Sequence, residues 1–239
     1  MVRGAARPYL LCMKVALITG ASRGLGLALA RALAERGWQL VVDAREPEPL
    51  EAARAELAAL TEVRALAGDV ADADHRRALV EAADGLGRLD LLANNASVLG
   101  PSPQPRLADY PLEMLEEVYR VNVLAPLALV QLALPLLQRS GGQIVNVTSD
   151  AAIVAYDGWG GYGSAKAALE QITNVLANEH PDLRIYRVDP GDMSTRMQQQ
   201  AYPGEDVSDR PPPEASIPGL LQLIDAELPS GRYEARELA

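Results

Sequence analysis

Residues 14–37 read as an aliphatic strand, a glycine turn and an amphipathic helix joined without a spacer, and few folds accommodate that order. Lys14 to Thr19 is a short apolar run of the kind found in parallel strands buried on both faces. It runs directly into Gly20-Ala21-Ser22-Arg23-Gly24-Leu25-Gly26. Leu25, Ala28, Leu29, Ala32 and Leu33 then follow a helical period that ends at Gly37. In such a unit the glycines allow a tight turn and close backbone approach, and the helix N-terminus offers unpaired N–H groups to a pyrophosphate. Gly20, Ser22, Arg23, Gly24, Leu25 and Gly26 are therefore candidate dinucleotide contacts, although their spacing is Gly-x-x-x-Gly-x-Gly rather than Gly-x-Gly-x-x-Gly.

The rest of the chain keeps alternating. Gln39–Ala44 is a second strand, and its end faces the adenosine ribose in a unit of this type. Arg45, with Arg23 in the glycine turn, favours the 2′-phosphate of NADP; a one-residue shift would place Asp43 at the ribose and favour NAD. A helix over 47–60, a strand over 63–66, Gly68-Asp69-Val70 and a helix from Asp72 to Asp84 follow. Leu89–Ala93 is a strand leading to Asn94-Asn95-Ala96-Ser97 and a proline-rich loop over 101–111. Residues 112–139 are helical with a break near Asn122, because Pro126 denies residue 122 a backbone donor. A strand over 142–148 ends at Ser149, a glycine-rich loop leads to a helix from Tyr162 to about His180, and a strand over 183–188 is broken by Pro190-Gly191. A short helix over 219–228 and a last strand near 232–235 close the chain. This pattern predicts an α/β fold: a Rossmann-like, doubly wound parallel sheet of about seven strands with helices on both faces, in one domain. Ligands bind such sheets outside the carboxyl ends of the strands, and Ser22, Asp69, Asn94, Ser149 and Thr195 all lie just past one.

Tyr162 and Lys166, four apart, share one helix face. An ammonium beside a phenol favours the phenolate, which suits proton exchange with a substrate oxygen near neutral pH. Alone, such a pair is equally a solvated helix face; the surrounding motifs make it a candidate active site.

Composition removes several alternatives. The net charge of -10 argues against nucleic-acid and anionic-membrane partners. The single cysteine, Cys12, excludes an internal disulfide and fits a reducing, cytoplasmic setting. His75 and His180 read as solvated residues, and the ligand supply predicts no metal site. No uninterrupted apolar run approaches the ~20 residues of a membrane span. Residues 1–12 read as an extension, with Met13 a possible start, and residues 13–239 as the domain. The proline- and acid-rich segment 192–218 reads as a lid over the ligand crevice.

From Lys14 onward the chain resembles the short-chain dehydrogenase/reductase family, in its form of roughly 250 residues. The resemblance rests on Thr19-Gly-Ala-Ser-Arg-Gly-Leu-Gly26, Asp69-Val70, Asn94-Asn-Ala96, Asn122, Ser149, Tyr162-x-x-x-Lys166 and Asp189-Pro-Gly191 followed by Thr195. It implies that Tyr162 is the acid/base residue, that Lys166 holds the nicotinamide ribose, that Ser149 binds the substrate oxygen and that Asn122 holds a relay water. It further implies that Asp69 and Val70 meet the adenine, that Asn94 and Ala96 line the pocket, and that Pro190, Gly191 and Thr195 hold the carboxamide. Two residues depart from the family pattern: Ser97 stands where glycine is usual, and Asp189 where asparagine is usual.

The expectation is an oxidoreductase moving a hydride between NADP(H), with NAD(H) possible, and a carbonyl or alcohol. A non-catalytic NADP-binding scaffold of the same fold is the alternative, and dehydratase, epimerase or imine-reductase chemistry stays open. Ile153, Tyr156 and Trp159, under an acidic lid, point to a neutral or apolar small molecule. Surplus apolar residues on 112–139 and 159–179, with the resemblance, imply a homodimer or homotetramer.

Overall fold

Strands β1 (Val15–Ile18), β2 (Gln39–Ala44), β3 (Val63–Ala67), β4 (Leu91–Asn94), β5 (Gln143–Val147), β6 (Arg184–Asp189) and β7 (Gly231–Glu234) pair in parallel in the order β3-β2-β1-β4-β5-β6-β7. The computed structural model describes residues 13–226 and 228–238. The extension over 1–12, Cys12 and the question of a start at Met13 lie outside the described residues. The helices are α1 (Gly24–Glu35), α2 (Pro47–Leu57), α3 (Ala73–Asp84), α4 (Leu112–Tyr119), α5 (Ala125–Ser140), α6 (Gly160–Glu179), α7 (Arg196–Ala201) and α8 (Ile217–Asp225). Chain direction across the sheet reverses between β1 and β4, the point at which doubly wound sheets open a crevice.

Alternation along β1 shows why the strands are apolar throughout. Ala16 and Ile18 join a core with α1 and α8, while Val15 and Leu17 join one with α3 and α5. The helix boundaries follow their caps. Asp72 accepts the N–H groups of Asp74 at 2.7 Å and His75 at 3.2 Å at the start of α3. Gly141, with φ of 64°, ends α5. The helix α8 starts at Ile217, two residues earlier than expected, since Pro218 falls in its first turn, where no N–H is missed.

Between α4 and α5 the chain makes a π-turn over Arg120–Leu124, closed by the Ala125 N–H donating to the Arg120 carbonyl. Pro126 is the cause expected from the sequence, and the bulge buries Asn122. The continuous stretch Leu112–Ser140 is long and apolar enough by composition to cross a bilayer, yet 56% of its most apolar window is buried in the fold. Leu129, Val130, Ala133, Leu136 and Leu137 spend that apolarity on the core beneath the sheet.

At the switch point the tips of β1 and β4 are cross-linked. The Thr19 hydroxyl accepts the N–H groups of Asn95 at 3.0 Å and Ala96 at 2.9 Å. Asn95 Nδ2 donates back to the carbonyls of Thr19 at 2.8 Å and Gly20 at 3.1 Å. Gly26 is required here, because a Cβ would lie 2.4 Å from the Gly20 oxygen and 2.6 Å from Asn95 Nδ2. Thr19→Val keeps the shape but leaves the Ala96 N–H unpaired, at about 1–3 kcal/mol, while the Asn95 N–H keeps the Ala93 carbonyl at 3.1 Å. We expect the urea midpoint to fall by the equivalent of about 1–3 kcal/mol with an unchanged slope, and Thr19→Ser to lose far less. Equal stability of Thr19→Val and the parent would refute the clamp.

Candidate active site

A crevice of about 800 Å³ opens over the carboxyl ends of β1, β2, β4, β5 and β6. At one end it is lined by Gly20, Ser22, Arg23, Gly24 and Leu25 of the glycine turn, by Arg45 after β2 and by Asp69 and Val70 after β3. At the other end lie Ala96, Ser149, Tyr162 and Lys166, closed over by Pro190, Gly191 and Thr195. Three expected residues do not line it. Gly26 is the third residue of α1 and serves the packing just described. Asn122 is 1% exposed, with its side chain turned to the Val98 backbone. The amide of Asn94 is turned under the sheet, donating to Asn146 Oδ1 at 2.7 Å, and its neighbour Asn95 takes the place at the wall.

At the outer end the Asp43 carboxylate is buried under the glycine turn. It accepts the Gly20 N–H at 2.8 Å on one oxygen and meets His75 Nε2 at 3.1 Å on the other. Burial, only partly offset by His75 and Gly20, raises its pKa. Both Asp43 oxygens are already engaged, while Arg45 is exposed and has no ion pair among the described residues. The expectation of a solvated His75 is corrected, because its side chain is 10% exposed and packed on Asp43. Arg23 differs as well. It forms a two-pronged pair with Glu46, at 2.8 and 3.2 Å, and Glu46 also holds Arg196 of α7 at 3.1 Å. Glu46 thereby links the glycine turn to the 192–218 segment across the crevice.

At the inner end α6 carries Tyr162 and Lys166, both nearly inaccessible at 7% and 2%. Lys166 Nζ donates to the Val147 carbonyl at 2.8 Å and lies 5.4 Å from the centre of the Tyr162 ring. Burial lowers the Lys166 pKa to about 8, against a smaller opposing effect of Asp189. The expectation that Lys166 depresses the Tyr162 pKa is corrected: burial pushes the phenol well above its usual range. A hydrogen bond with Ser97 acts the other way, and the carboxylates of Asp189 and Asp150 add to the rise. Helical spacing brings the two side chains together but carries no information about how deeply they are buried.

Ser149, at the end of β5, donates to Asp150 Oδ1 at 2.9 Å, and the Tyr156 hydroxyl donates to Asp150 Oδ2 at 2.8 Å. Asp189, the second departure from the family pattern, has a structural partner. It accepts the Gly191 N–H at 2.9 Å and pairs with Arg232 of β7 at 2.9 Å. Arg232 also donates to Glu170 at 3.1 Å, and Glu170 accepts the Thr148 hydroxyl at 2.8 Å. The Thr195 hydroxyl caps α7 by accepting the Gln198 N–H at 3.2 Å. Sequence reading missed Glu46, Asp150 and Arg232. The adjacency of Asp150 to Ser149 and the unusual Asp189 were available signals for two of them; nothing local marks Glu46.

The residues present suit a dinucleotide. No side chain caps the start of α1 and its first turn holds no acid, so its N–H groups and dipole face the crevice uncompensated. A Cβ at Gly24 would meet only Thr195 Cγ2, at 3.8 Å, which leaves the helix entrance open. Among the described residues no cluster of three or more metal-ligating side chains occurs.

Known proteins agree with this geometry. A family model described as short chain dehydrogenase matches residues 14–206. The chain is 32% identical over 236 residues to the rhamnolipids biosynthesis 3-oxoacyl-(acyl-carrier-protein) reductase of Pseudomonas aeruginosa, covering 95% of this chain and 86% of that one. It is 34% identical over 236 residues to the (S)-benzoin-forming benzil reductase of Saccharomyces cerevisiae, covering 91% and 87%. A short chain dehydrogenase from Shigella flexneri, complexed with NADP, superposes with a TM-score of 0.87 at 27% identity, over 93% of this chain and 97% of that one. With a motif order and a sheet order that both fit, the chain belongs to the short-chain dehydrogenase/reductase family.

Proposed function

We propose that this chain is an NADP(H)-dependent oxidoreductase that interconverts a small carbonyl compound and its alcohol. One observation carries the reading: Ser149, Tyr162 and Lys166 converge at the end of a crevice whose other end presents an uncapped helix N-terminus and Arg45, which has no ion pair among the described residues. A bound NADPH would supply the hydride for the carbonyl carbon. Ser149 turns its hydroxyl from Asp150 to the substrate oxygen and stabilises the charge that builds there. Tyr162 gives its O–H proton to that oxygen; its raised pKa keeps it protonated at neutral pH, as a donor in the reductive direction must be. Lys166 would hold the ribose, and the 192–218 segment would cover the bound pair.

The substrate end is walled by Tyr156, Trp159 and Tyr202; the Trp159 ring lies 6.4 Å from Tyr156, 6.0 Å from Tyr202 and 5.8 Å from Tyr162, with Asp150 and Asp192 beside them. Aromatic walls and carboxylates favour a neutral, apolar carbonyl over a polyanion. The similarity to a benzil reductase supports an aryl ketone or diketone. Leu124, Leu132 and Val175 are 57%, 38% and 45% exposed on α5, its approach and α6, and we assign this face to a homodimer contact within a dimer or tetramer.

NADPH oxidation at 340 nm with ketones, diketones and quinones, run beside NADH, tests the reading. Tyr162→Phe is expected to lower turnover by at least about a hundredfold while still binding NADPH. Normal turnover by that variant refutes the proton-donor assignment, and activity with NADH alone refutes the role of Arg45.

Lys166 yields a test free of substrate. Between its folded value of about 8 and the ordinary 10.5, the unfolded chain holds a proton that the folded chain lacks. Unfolding free energy therefore rises with pH in this window, by up to about 1.4 kcal/mol per pH unit. Urea unfolding from about pH 8 to 9.5, below tyrosine ionisation, should show this slope, and Lys166→Met should lose it. Equal slopes would contradict the burial of an uncharged lysine.

Light scattering at micromolar concentration should give the mass of a dimer or tetramer, and Leu124→Glu should shift it towards the monomer. A monomeric parent protein overturns the assembly.

A further inference from the structure

The last strand, β7, brings a cation beneath the helix that carries Tyr162 and Lys166. Tyr186, Val188 and Tyr233 join the core shared with α8, so by alternation Arg187, Asp189, Arg232 and Glu234 lie on the opposite face of the sheet. Arg187 and Arg232 are register partners in neighbouring strands. Both meet Glu170 of α6, which is buried one turn beyond Lys166 on the same helix face. Arg232 Nε donates to Glu170 Oε1 at 3.1 Å, and Arg187 lies 4.0 Å from Glu170 Oε2. A second prong of Arg232 donates to Asp189 Oδ2 at 2.9 Å, and a third reaches the exposed Glu234 at 3.3 Å.

The other Asp189 oxygen accepts the Gly191 N–H at 2.9 Å and so shapes the turn that closes over the inner end of the crevice. The Ser216 hydroxyl donates to the Pro190 carbonyl at 2.7 Å and Arg236 donates to the Asp192 carbonyl, so the turn is held at three points. Of these, the Asp189 contact continues through a charged pair to α6. The side chains of Asp189 and Glu170 are 8% and 9% exposed, and that of Arg232 18%. Removing one member of such a pair leaves the other charge unpaired in a poorly hydrated place. Without Arg232, Asp189 must take up a proton or turn towards water, and turning releases the Gly191 N–H. An asparagine at position 189 accepts the same N–H without a charge, so a turn built on it makes no call on Arg232.

We propose that Arg232 is a positioning residue of the reaction: its guanidinium ties the helix of Tyr162 and Lys166, through Glu170, to the turn at Gly191, through Asp189. The planar fork suits this task, because it offers donors to two carboxylates at once in a fixed geometry. Arg232 does not line the crevice and exchanges no proton. The inference rests on the reading of the crevice as an NADPH site.

The test is NADPH affinity in the parent, Arg232→Met, Asp189→Asn and the variant carrying both changes. Arg232→Met should weaken NADPH binding about tenfold when position 189 carries aspartate, and by less than about twofold when it carries asparagine. A residue that merely supports the fold costs the same factor in both backgrounds, so equal factors overturn the proposal, as does unchanged affinity in Arg232→Met. Arg232→Gln takes the place of Arg232→Met in this comparison should the latter not fold by circular dichroism. A second readout needs no cofactor. In protein labelled with ¹⁵N-glycine, the Gly191 amide resonance, identified by its loss in Gly191→Ala, should shift in Arg232→Met and far less when Asp189→Asn is also present. If the parent binds no NADPH, the functional reading fails while this resonance still decides the linkage, and an unshifted resonance in Arg232→Met overturns it.

Discussion

The Thr19 hydroxyl is the small group on which the crevice depends. By accepting two N–H groups from the turn after β4, it ties together the tips of the two strands between which the sheet reverses direction. Asn95 completes the clamp from the other side. Only with those tips at fixed spacing does the glycine turn aim the start of α1 into the crevice, and only a glycine at position 26 leaves room for the Asn95 amide. Asp43 supports the same turn from beneath, through the Gly20 N–H. The cofactor end is therefore held by backbone bonds and buried polar groups, and it needs no large loop to order.

The inner end poses an electrostatic problem for a chain with a net charge of -10. Two carboxylates, Asp150 and Asp189, stand near a buried tyrosine and a buried lysine. Asp189 is compensated by Arg232, which the last strand brings in and which also serves Glu170. Asp150 is occupied by two hydroxyls, from Ser149 and Tyr156. Burial thus dominates: it keeps Tyr162 protonated and lowers Lys166 towards neutrality. A proton donor for reduction follows from this directly.

Most of the fold was readable from the sequence because buried parallel strands are unbroken apolar runs and the helices between them carry their own caps, as Asp72 and Gly141 show. The π-turn was readable as a break, since Pro126 removes a donor at a known position. What could not be read depended on partners distant in sequence or on depth. His75 looks like a surface residue until Asp43, 32 positions away, is placed beside it. Glu46 gains meaning only through Arg196, 150 positions away. Asn94 and Asn95 are distinguished by a single step at a strand end, which decides wall against underside. For Tyr162, spacing identified the right neighbour but not the burial that outweighs it.

The central claim is that the crevice at the strand reversal is a nicotinamide dinucleotide site. Trp159 lines it, so its fluorescence should be quenched by bound NADPH, with energy transfer to the reduced nicotinamide. Titration should give saturable micromolar binding by the parent protein. Gly24→Val, which puts a branched side chain at φ of 57° where the helix opens on the crevice, should lose it while remaining folded by circular dichroism. No saturable signal in the parent, or equal binding by the folded Gly24→Val protein, would contradict the account.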